Sequence, residues 1–245
     1  MRVVYAGYRK WAFEILKGLL EQNDGRYSVV GILTTKDQEV SYKSLNLDTF
    51  IVNPKNIKSR RNSAILKKLN PEVFLFYGWS WMIPKEIYDN YPCLILHTSP
   101  LPKYRGGSPL QHQIINGETR SAISIIQATA GIDEGPIYAQ APFSLQGTMD
   151  EVFRSVVKAG LKSTKDVLKG LADNTLKPKP QNEKLATVFK RRRPEESEIT
   201  TWDLNKKTAK ELYNFVRALG DPYPNAFMRC KDGGKLYIKV AEVKK

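Results

Sequence analysis

The chain of 245 residues contains very few cysteines and histidines, two of each. Two cysteines cannot build a disulfide framework, so we expect Cys93 and Cys230 to be reduced and mostly buried thiols. The two histidines, His97 and His112, add too few ligands for a site built on cysteine and histidine. We therefore expect no metal ion.

Long hydrophobic runs and a secretory signal are also missing. No stretch approaches the roughly 18 apolar residues of a membrane span. The N-terminal segment MRVVYAGYRK has too short an apolar run for a signal peptide. These absences predict a cytoplasmic protein without a membrane span.

The motifs of the commonest α/β enzymes are absent as well. YAGYRK follows the first predicted strand, but it has one glycine where a dinucleotide-binding loop needs three. Neither the phosphate-binding pattern G-x-x-x-x-G-K-S/T nor the nucleophile elbow G-x-S-x-G occurs in the chain. The sequence thus supports neither a nicotinamide dehydrogenase, a P-loop enzyme nor an α/β-hydrolase.

Positive charge is abundant, with a formal net charge of +14. Such an excess suits nucleic acid, an anionic membrane face or a phosphorylated small substrate, and charge alone does not choose among them. Most of the excess is scattered lysine. The one dense run, KRRRPEE at residues 190–196, is interpreted mainly as a solvated linker, with a role in binding pyrophosphate as the alternative.

Apolar runs alternate with helical patterns in the first half of the chain, which is typical of βαβ units. Together with 41% hydrophobic and 10% aromatic residues, this rhythm predicts a globular α/β fold with a mostly parallel, twisted, Rossmann-like sheet. Strands are predicted at residues 2–7, 27–35, 49–52, 71–79, 93–97, 121–129 and 136–145, and helices at 11–22, 57–69, 149–172 and 206–219. We expect a catalytic domain at residues 1–190 and a small α+β module, a helix plus a β-hairpin, at 198–245.

Two polar positions follow predicted strands and are candidates for a site. His97 ends a predicted parallel strand, where open α/β sheets place their ligands, although a histidine there is as often structural. The loop TSPLPKYRGGSP then offers Arg105, which suits anions, and two glycines that allow close backbone approach. Asp133 lies in the turn AGIDEG, where an isolated aspartate more often stabilises the turn itself.

The segment HTSPLPKYRGGSPLQHQIINGE resembles the signature of the formyltransferases that use N10-formyltetrahydrofolate. This family includes methionyl-tRNA formyltransferase, glycinamide ribonucleotide transformylase and the sugar N-formyltransferases. MRVVYAGYRKWAFEIL resembles the first strand and helix of the family, and GIDEGPIYAQ resembles the loop that carries its aspartate. The resemblance covers nearly the whole chain.

The resemblance implies roles for particular residues. His97 and Asp133 would be catalytic, with His97 stabilising an oxyanion or relaying protons and Asp133 orienting the imidazole. N10-formyltetrahydrofolate would be the co-substrate. The residues implied to contact it are Gly78, Trp79, Ser80, Trp81, Met82, Thr129, Ala130, Gly131 and Ile132. The residues expected to contact the acceptor substrate are Ser99, Arg105, Gly106 and Gly107.

One position departs from the family pattern, which normally reads Asn-x-His where this chain reads Ile95-Leu96-His97. Strand alternation places residues 95 and 97 on one face, so Ile95 occupies the place of an amide that would donate to the developing oxyanion. Losing one such donor costs about 10²–10³ in rate. Either another donor (Thr98, Ser99, a backbone N–H or protonated His97) replaces it, or the protein is a non-catalytic binder of folate or nucleotide sugar. We favour the first.

The C-terminal residues bear on the acceptor. FVRALGDPYPNAF and RRRPEESEI resemble segments of sugar N-formyltransferases, and residues 198–245 are too few for the β-barrel of the tRNA enzyme. We therefore expect the amine of an amino sugar, nucleotide-linked, to be the acceptor. Methionyl-tRNA is the alternative acceptor, and a homodimer through the C-terminal module is a further expectation.

Overall fold

The structure, a computed structural model, describes residues 1–57 and 59–244. Its strands in chain order are β1 (Arg2–Gly7), β2 (Ser28–Thr34), β3 (Thr49–Ile51), β4 (Val73–Tyr77), β5 (Cys93–His97), β6 (Arg105–Gly106), β7 (Arg120–Gln127), β8 (Ile137–Ser144), β9 (Val188–Phe189), β10 (Ala226–Arg229) and β11 (Lys235–Ile238). Its α-helices are α1 (Lys10–Glu21), α2 (Glu39–Lys43), α3 (Arg60–Leu69), α4 (Lys85–Tyr88), α5 (Pro109–Ile115), α6 (Met149–Ala172), α7 (Thr201–Lys206) and α8 (Ala209–Ala218). None of these helices is long and apolar enough to cross a bilayer.

Seven strands form the central sheet in the order β3-β2-β1-β4-β5-β7-β8. The first five run parallel, whereas β7 pairs antiparallel with β5 and β8 pairs antiparallel with β7. The predicted mostly parallel α/β sheet is confirmed. The central strand β4, sequence VFLFY, is buried at every position because helices cover both faces of the sheet.

Two apolar clusters cover the two faces of the sheet. On one face, α1 and α6 pack through residues such as Leu16 and Val156 against side chains of β1, β4 and β5. On the other face, Leu66 and Leu69 of α3 pack with Phe74 and Phe76 of β4. Alternate residues of each buried strand thus enter opposite clusters, and the strands need apolar residues throughout.

Helix boundaries follow local capping chemistry. The α6 helix has the predicted bounds, since Thr148 and Glu151 form a capping box that begins it. The helix predicted at residues 57–69 begins later, after Ser59, whose hydroxyl accepts a hydrogen bond from the Asn62 N–H. Residue 58, which falls in that prediction, lies outside the described residues.

The helix predicted at 206–219 is wrong at its start. The structure has two helices there, α7 and α8, because Thr208 forms a capping box with Glu211 and begins a new helix. The predicted hairpin is confirmed as β10 and β11, which pair antiparallel across the KDGG turn. Residues of α8 and β10 form their own apolar cluster, which also contacts Ile115 of α5. The division at residues 190 and 198 stays a prediction.

The two cysteines differ in their surroundings. Both are free thiols; Cys93 on β5 is buried, and burial raises its pKa to about 12. Cys230 lies at the hairpin turn and is exposed, so the prediction that both thiols are buried is wrong for this one. A hairpin turn lies at the surface of the protein because its backbone groups need water.

Candidate active site

A cavity of about 700 Å³ opens at the carboxyl ends of β1, β4 and β5. In the sheet, β1 lies between β2 and β4. After β1 the chain forms β2 and β3 on one side of it, and then β4 and β5 on the other side. Open α/β sheets form their ligand crevice at such a switch point. The volume lies in the range of pockets for small organic ligands.

His97 is the last residue of β5 and lines this cavity. Its ring is 8% exposed, and its Nε2 lies 2.9 Å from the carbonyl oxygen of Tyr104. Since a carbonyl oxygen only accepts, Nε2 carries the hydrogen and donates it. The other nitrogen, Nδ1, is therefore the one available to accept or release a proton.

Asp133 faces that free nitrogen, with its Oδ2 3.4 Å from His97 Nδ1. The strand before it, β7, ends beside the start of β5, where Gln127 pairs with Leu94. The following loop, residues 128–136 (the Asp133 loop), must fold back along β5 to reach His97. Asp133 itself adopts φ +56°, a left-handed conformation that aspartate tolerates better than most residues.

The Asp133 carboxylate bonds outside its own turn. Its Oδ2 accepts a 2.8 Å hydrogen bond from the Gly106 N–H, which ties the Asp133 loop to the segment after His97 (residues 98–109, the signature loop). An aspartate that stabilises only its own turn would bond to its neighbours in sequence. The structure thus brings together His97, Asp133 and the arginine-glycine segment, as the two sequence motifs predicted.

Arg105 does not line the cavity, and its side chain is only 3% exposed. Its guanidinium bonds to Glu183 through two nitrogens, at 2.8 and 2.6 Å, and to Gln181 at 2.8 and 3.1 Å. Gln181 in turn donates to the carbonyl oxygens of Asp133 and Gly135, both at 2.7 Å. Arg105, Gln181 and Glu183, the Arg105 cluster, thus support the Asp133 loop. The guanidinium expected to contact an anionic substrate is instead bonded within the protein.

Gly106 and Gly107 do allow a close backbone approach, but the approaching group belongs to the chain itself. A Cβ on Gly106 would lie 2.3 Å from the carbonyl oxygen of Phe189, and a Cβ on Gly107 would lie 2.4 Å from the Cα of Arg191. Strand β9 runs parallel to β6 and occupies this space. Both glycines also line the cavity.

Ser99 is fully buried and outside the cavity lining. Its hydroxyl donates to the carbonyl oxygens of Lys103, at 2.8 Å, and Tyr104, at 3.3 Å. These bonds shape the loop whose Tyr104 carbonyl orients His97. Thr98 is different, because it lines the cavity and its hydroxyl makes no hydrogen bond with the part of the chain that the structure describes.

The segment after β4 lines the cavity with aromatic rings. Trp79 and Trp81 meet edge to face with ring centroids 5.3 Å apart. The indole Nε1 of Trp79 is buried and has no hydrogen-bond partner among residues 1–57 and 59–244. A buried donor without an acceptor is costly in a folded protein, so this N–H fits a ligand that brings an acceptor.

The other residues expected to contact folate lie on the same cavity with one exception. Those that line it are Gly78, Trp79, Ser80, Trp81, Met82, Thr129, Gly131 and Ile132. Ala130, between two of them, is not part of the lining. Ile95 lines the cavity beside His97 and packs against the apolar cluster that includes Phe76 and Trp79. Across the described residues no group of three or more potential metal ligands forms a cluster.

A run of positively charged residues also lines the cavity, although its sequence favours a solvated linker. Residues 190–193, the basic segment, line the cavity. Phe189 fixes this segment, because its ring stacks between Tyr104 and His112 at centroid distances of 4.9 and 4.7 Å. His112 Nε2 also donates to the Lys190 carbonyl at 3.0 Å. In the sequence, the signal for this fixed basic segment is weak, because it consists of one apolar pair directly before the basic run.

Comparisons with known proteins agree on one family. The formyl transferase family model matches residues 1–168. A methionyl-tRNA formyltransferase from Nitratiruptor sp. is 30% identical over 89% of this chain and 74% of its own length. Among solved structures, the methionyl-tRNA formyltransferase from Clostridium thermocellum is 31% identical with a TM-score of 0.71, and the match covers 97% of both chains. A 4-N formyltransferase from Francisella tularensis has a higher TM-score, 0.79, at 17% identity, covering 100% of this chain and 98% of that one. At that identity the likeness shows the fold alone.

Proposed function

The chain belongs to the formyl transferase family, and from this premise we propose that it moves a formyl group from N10-formyltetrahydrofolate to the amine of a nucleotide-linked amino sugar. The observation that carries the proposal is the His97–Asp133 pair, 3.4 Å apart on a cavity of about 700 Å³. An imidazole beside a carboxylate is suited to moving a proton to or from a reacting group.

The residues on the cavity fit a folate. Trp79 and Trp81 offer aromatic surface to a flat ring, and the unpartnered Trp79 N–H offers a donor. The Asp133 loop adds Thr129, Gly131 and Ile132 to the lining. Bound there, the folate would supply the formyl group as the co-substrate.

His97 would act through Nδ1, because Nε2 is committed to the Tyr104 carbonyl. An amine that attacks the formyl carbon must lose a proton, which the neutral Nδ1 can take; the bond between the formyl carbon and folate N10 then breaks, and the proton passes to N10 of the departing tetrahydrofolate. The positive charge that results on the ring lies 3.4 Å from the Asp133 carboxylate, which stabilises it. Asp133 is held for this purpose by the Gly106 N–H and by Gln181.

The oxyanion of the reaction needs a donor that Ile95 cannot provide. Ser99 is excluded by its burial and its bonds to two backbone carbonyls. We assign the role to the Thr98 hydroxyl, which lines the cavity next to His97 and makes no other hydrogen bond within the described chain. One well-placed donor is worth about 10²–10³ in rate.

Formyl-transfer kinetics test this assignment. Wild type, Thr98→Val and Ile95→Asn are assayed with N10-formyltetrahydrofolate and a panel of nucleotide-linked and free amino sugars. We expect turnover in wild type, a loss of about 10²–10³ in kcat for Thr98→Val, and retained or higher turnover for Ile95→Asn. Folate binding without turnover in wild type and in Ile95→Asn would show a non-catalytic binder.

Methionyl-tRNA is a second candidate acceptor, favoured by the printed names of relatives at 30% and 31% identity. The net charge of +14 is compatible with it. Binding to a nucleic acid backbone weakens steeply with salt. A gel-shift titration with methionyl initiator tRNA at two salt concentrations, together with formylation of that tRNA, measures this directly. Formylation of the tRNA, without turnover of any amino sugar, replaces the first proposal by the second.

A further inference from the structure

The cavity carries a strong excess of positive charge. Its charged lining residues are Arg9, Lys190, Arg191, Arg192, Arg193 and a single carboxylate, Asp133. A cleft with low-dielectric walls and one sign of charge concentrates the field and attracts ions of the opposite sign. The cations lie on the same cavity as His97, so an anion bound by them would belong to a substrate that reaches the His97–Asp133 pair.

The backbone that presents these cations is fixed. Gly107 donates its N–H to the Phe189 carbonyl at 2.9 Å, and Arg192 donates its backbone N–H to the Ser108 hydroxyl at 3.1 Å. Together with the stacking of Phe189, these bonds hold the basic segment against the signature loop. A solvated linker would have no such contacts, so the position of Arg191 is set by the fold.

Not all of the cations are free to bind a ligand. The Arg192 guanidinium lies 5.5 Å from the ring of Phe215, and its Nη2 donates to the Glu196 carbonyl. The backbone N–H of Arg193 donates to the Glu196 carboxylate at the start of a short helical turn. Arg192 is thus engaged through its guanidinium and Arg193 is tied through its backbone, and we leave both out of the site.

Arg9, Arg191 and Tyr223 all line the cavity. Burial raises the pKa of Tyr223 to about 12, and the charges of Arg9 and Arg191 both oppose that rise. The phenol therefore remains a hydrogen-bond donor at neutral pH. Neither guanidinium forms an ion pair within the part of the chain that the structure describes; that of Arg9 lies 4.8 Å from the Tyr8 ring and within electrostatic reach of Asp37.

We propose that Arg9, Arg191 and the Tyr223 hydroxyl form the binding site for the diphosphate of the acceptor, a small amine linked to a nucleoside diphosphate. The inference rests on the proposed formyl transfer and names the anchor of its acceptor. Two guanidinium forks and a phenol provide enough donors for the oxygens of two phosphates. A small acceptor fits better than a tRNA, because the site lies inside the cavity and Pro222 and Pro224 line it beside Tyr223.

Calorimetric titration of the full chain with UDP, dTDP and inorganic pyrophosphate tests the proposal. The variants are Arg9→Gln, Arg191→Gln and Tyr223→Phe, and Arg154→Gln is the matched control, since Arg154 is 71% exposed on α6 and outside the cavity. We expect wild type to bind the nucleotides. Loss of a charged donor should weaken binding about 10- to 100-fold for each arginine and about fivefold for Tyr223→Phe, with no change in the control.

Parallel measurements separate this inference from the proposed function. Binding of a stable folate, 5-formyltetrahydrofolate, should be equal in wild type, Arg191→Gln and Tyr223→Phe; Arg9→Gln is left out of this comparison because Arg9 packs against Gly78. Thermal unfolding shows that all three variants fold. Formyl transfer to a phosphate-free amino sugar, with no nucleotide or pyrophosphate binding in wild type, overturns the diphosphate site but leaves formyl transfer standing. Unchanged UDP affinity in Arg9→Gln and Arg191→Gln also overturns the diphosphate site. The same holds if these two variants weaken the binding of initiator tRNA but not that of UDP.

Discussion

Replacing Arg105 with methionine distinguishes a substrate-binding guanidinium from one that holds the Asp133 loop. The sequence motif suggested the first role. In the structure, however, the side chain is only 3% exposed and bonds to Gln181 and Glu183. Methionine keeps the unbranched length of the side chain and removes every donor.

The contacts of Arg105 indicate the size of the effect. Two hydrogen bonds to Gln181, at 2.8 and 3.1 Å, share one acceptor atom, and removing a charged donor from such a buried site costs about 2–3 kcal/mol. The bonds to Glu183 add little, since that side chain is 67% exposed. For a chain of this size we expect the melting temperature to fall by about 5–10 °C.

The kinetic expectation follows from the position of Gln181. Without Arg105, the amide that donates to the carbonyls of Asp133 and Gly135 loses its own support. A shift of about 1 Å in a catalytic group lowers the rate by up to about 10²-fold. We expect kcat to fall about 10- to 100-fold while KM for the acceptor stays within about twofold of wild type.

The assay combines thermal unfolding with steady-state formyl transfer at varied acceptor concentration. Arg120→Met is the control, since Arg120 is exposed at the start of β7 and loses the same charge. The reasoning is refuted if Arg105→Met melts at the wild-type temperature and raises KM for the acceptor at least tenfold. That outcome would show that the Arg105 guanidinium binds the substrate.

Two further perturbations test the same region. The Arg105 guanidinium lowers the pKa of Glu183 below its ordinary value of 4.5, so the stability from this pair is present above that pH and is lost as pH falls through the lowered pKa. The melting-temperature difference between wild type and Glu183→Gln should therefore be small but constant near neutrality and disappear in acid; a difference that persists there contradicts the pairing. Gly135→Ala would bring a Cβ within 1.7 Å of the Gln127 carbonyl oxygen and should cost about 1–3 kcal/mol in chemical denaturation. Gly234→Ala, at the exposed hairpin, should stay within about 0.5 kcal/mol, and equal effects at the two glycines would argue against the close approach.

Much of the fold could be predicted because its signals are local. Strand β4 is five apolar residues in a row, as expected of a strand covered on both faces. Helix α6 begins at a capping box whose residues all lie within four consecutive positions, 148–151. The start of α8 shows the limit, because the helical pattern continues through residues 206–208 although the Thr208 cap begins a new helix.

The sequence by itself determined the α/β sheet, the position of His97 at a strand end and the resemblance that linked it to Asp133. Only the tertiary structure decided which side chains share the cavity, because that depends on segments far apart in the chain. The Asp133 loop must fold back along β5 to meet His97, and Gln181, 48 positions further on, holds it there. The pairing of β6 with β9 brings the segment that carries Arg191 to the cavity, whereas the Arg105 side chain is buried and bonds to Gln181 and Glu183. Two arginines that look alike in the sequence thus have opposite surroundings.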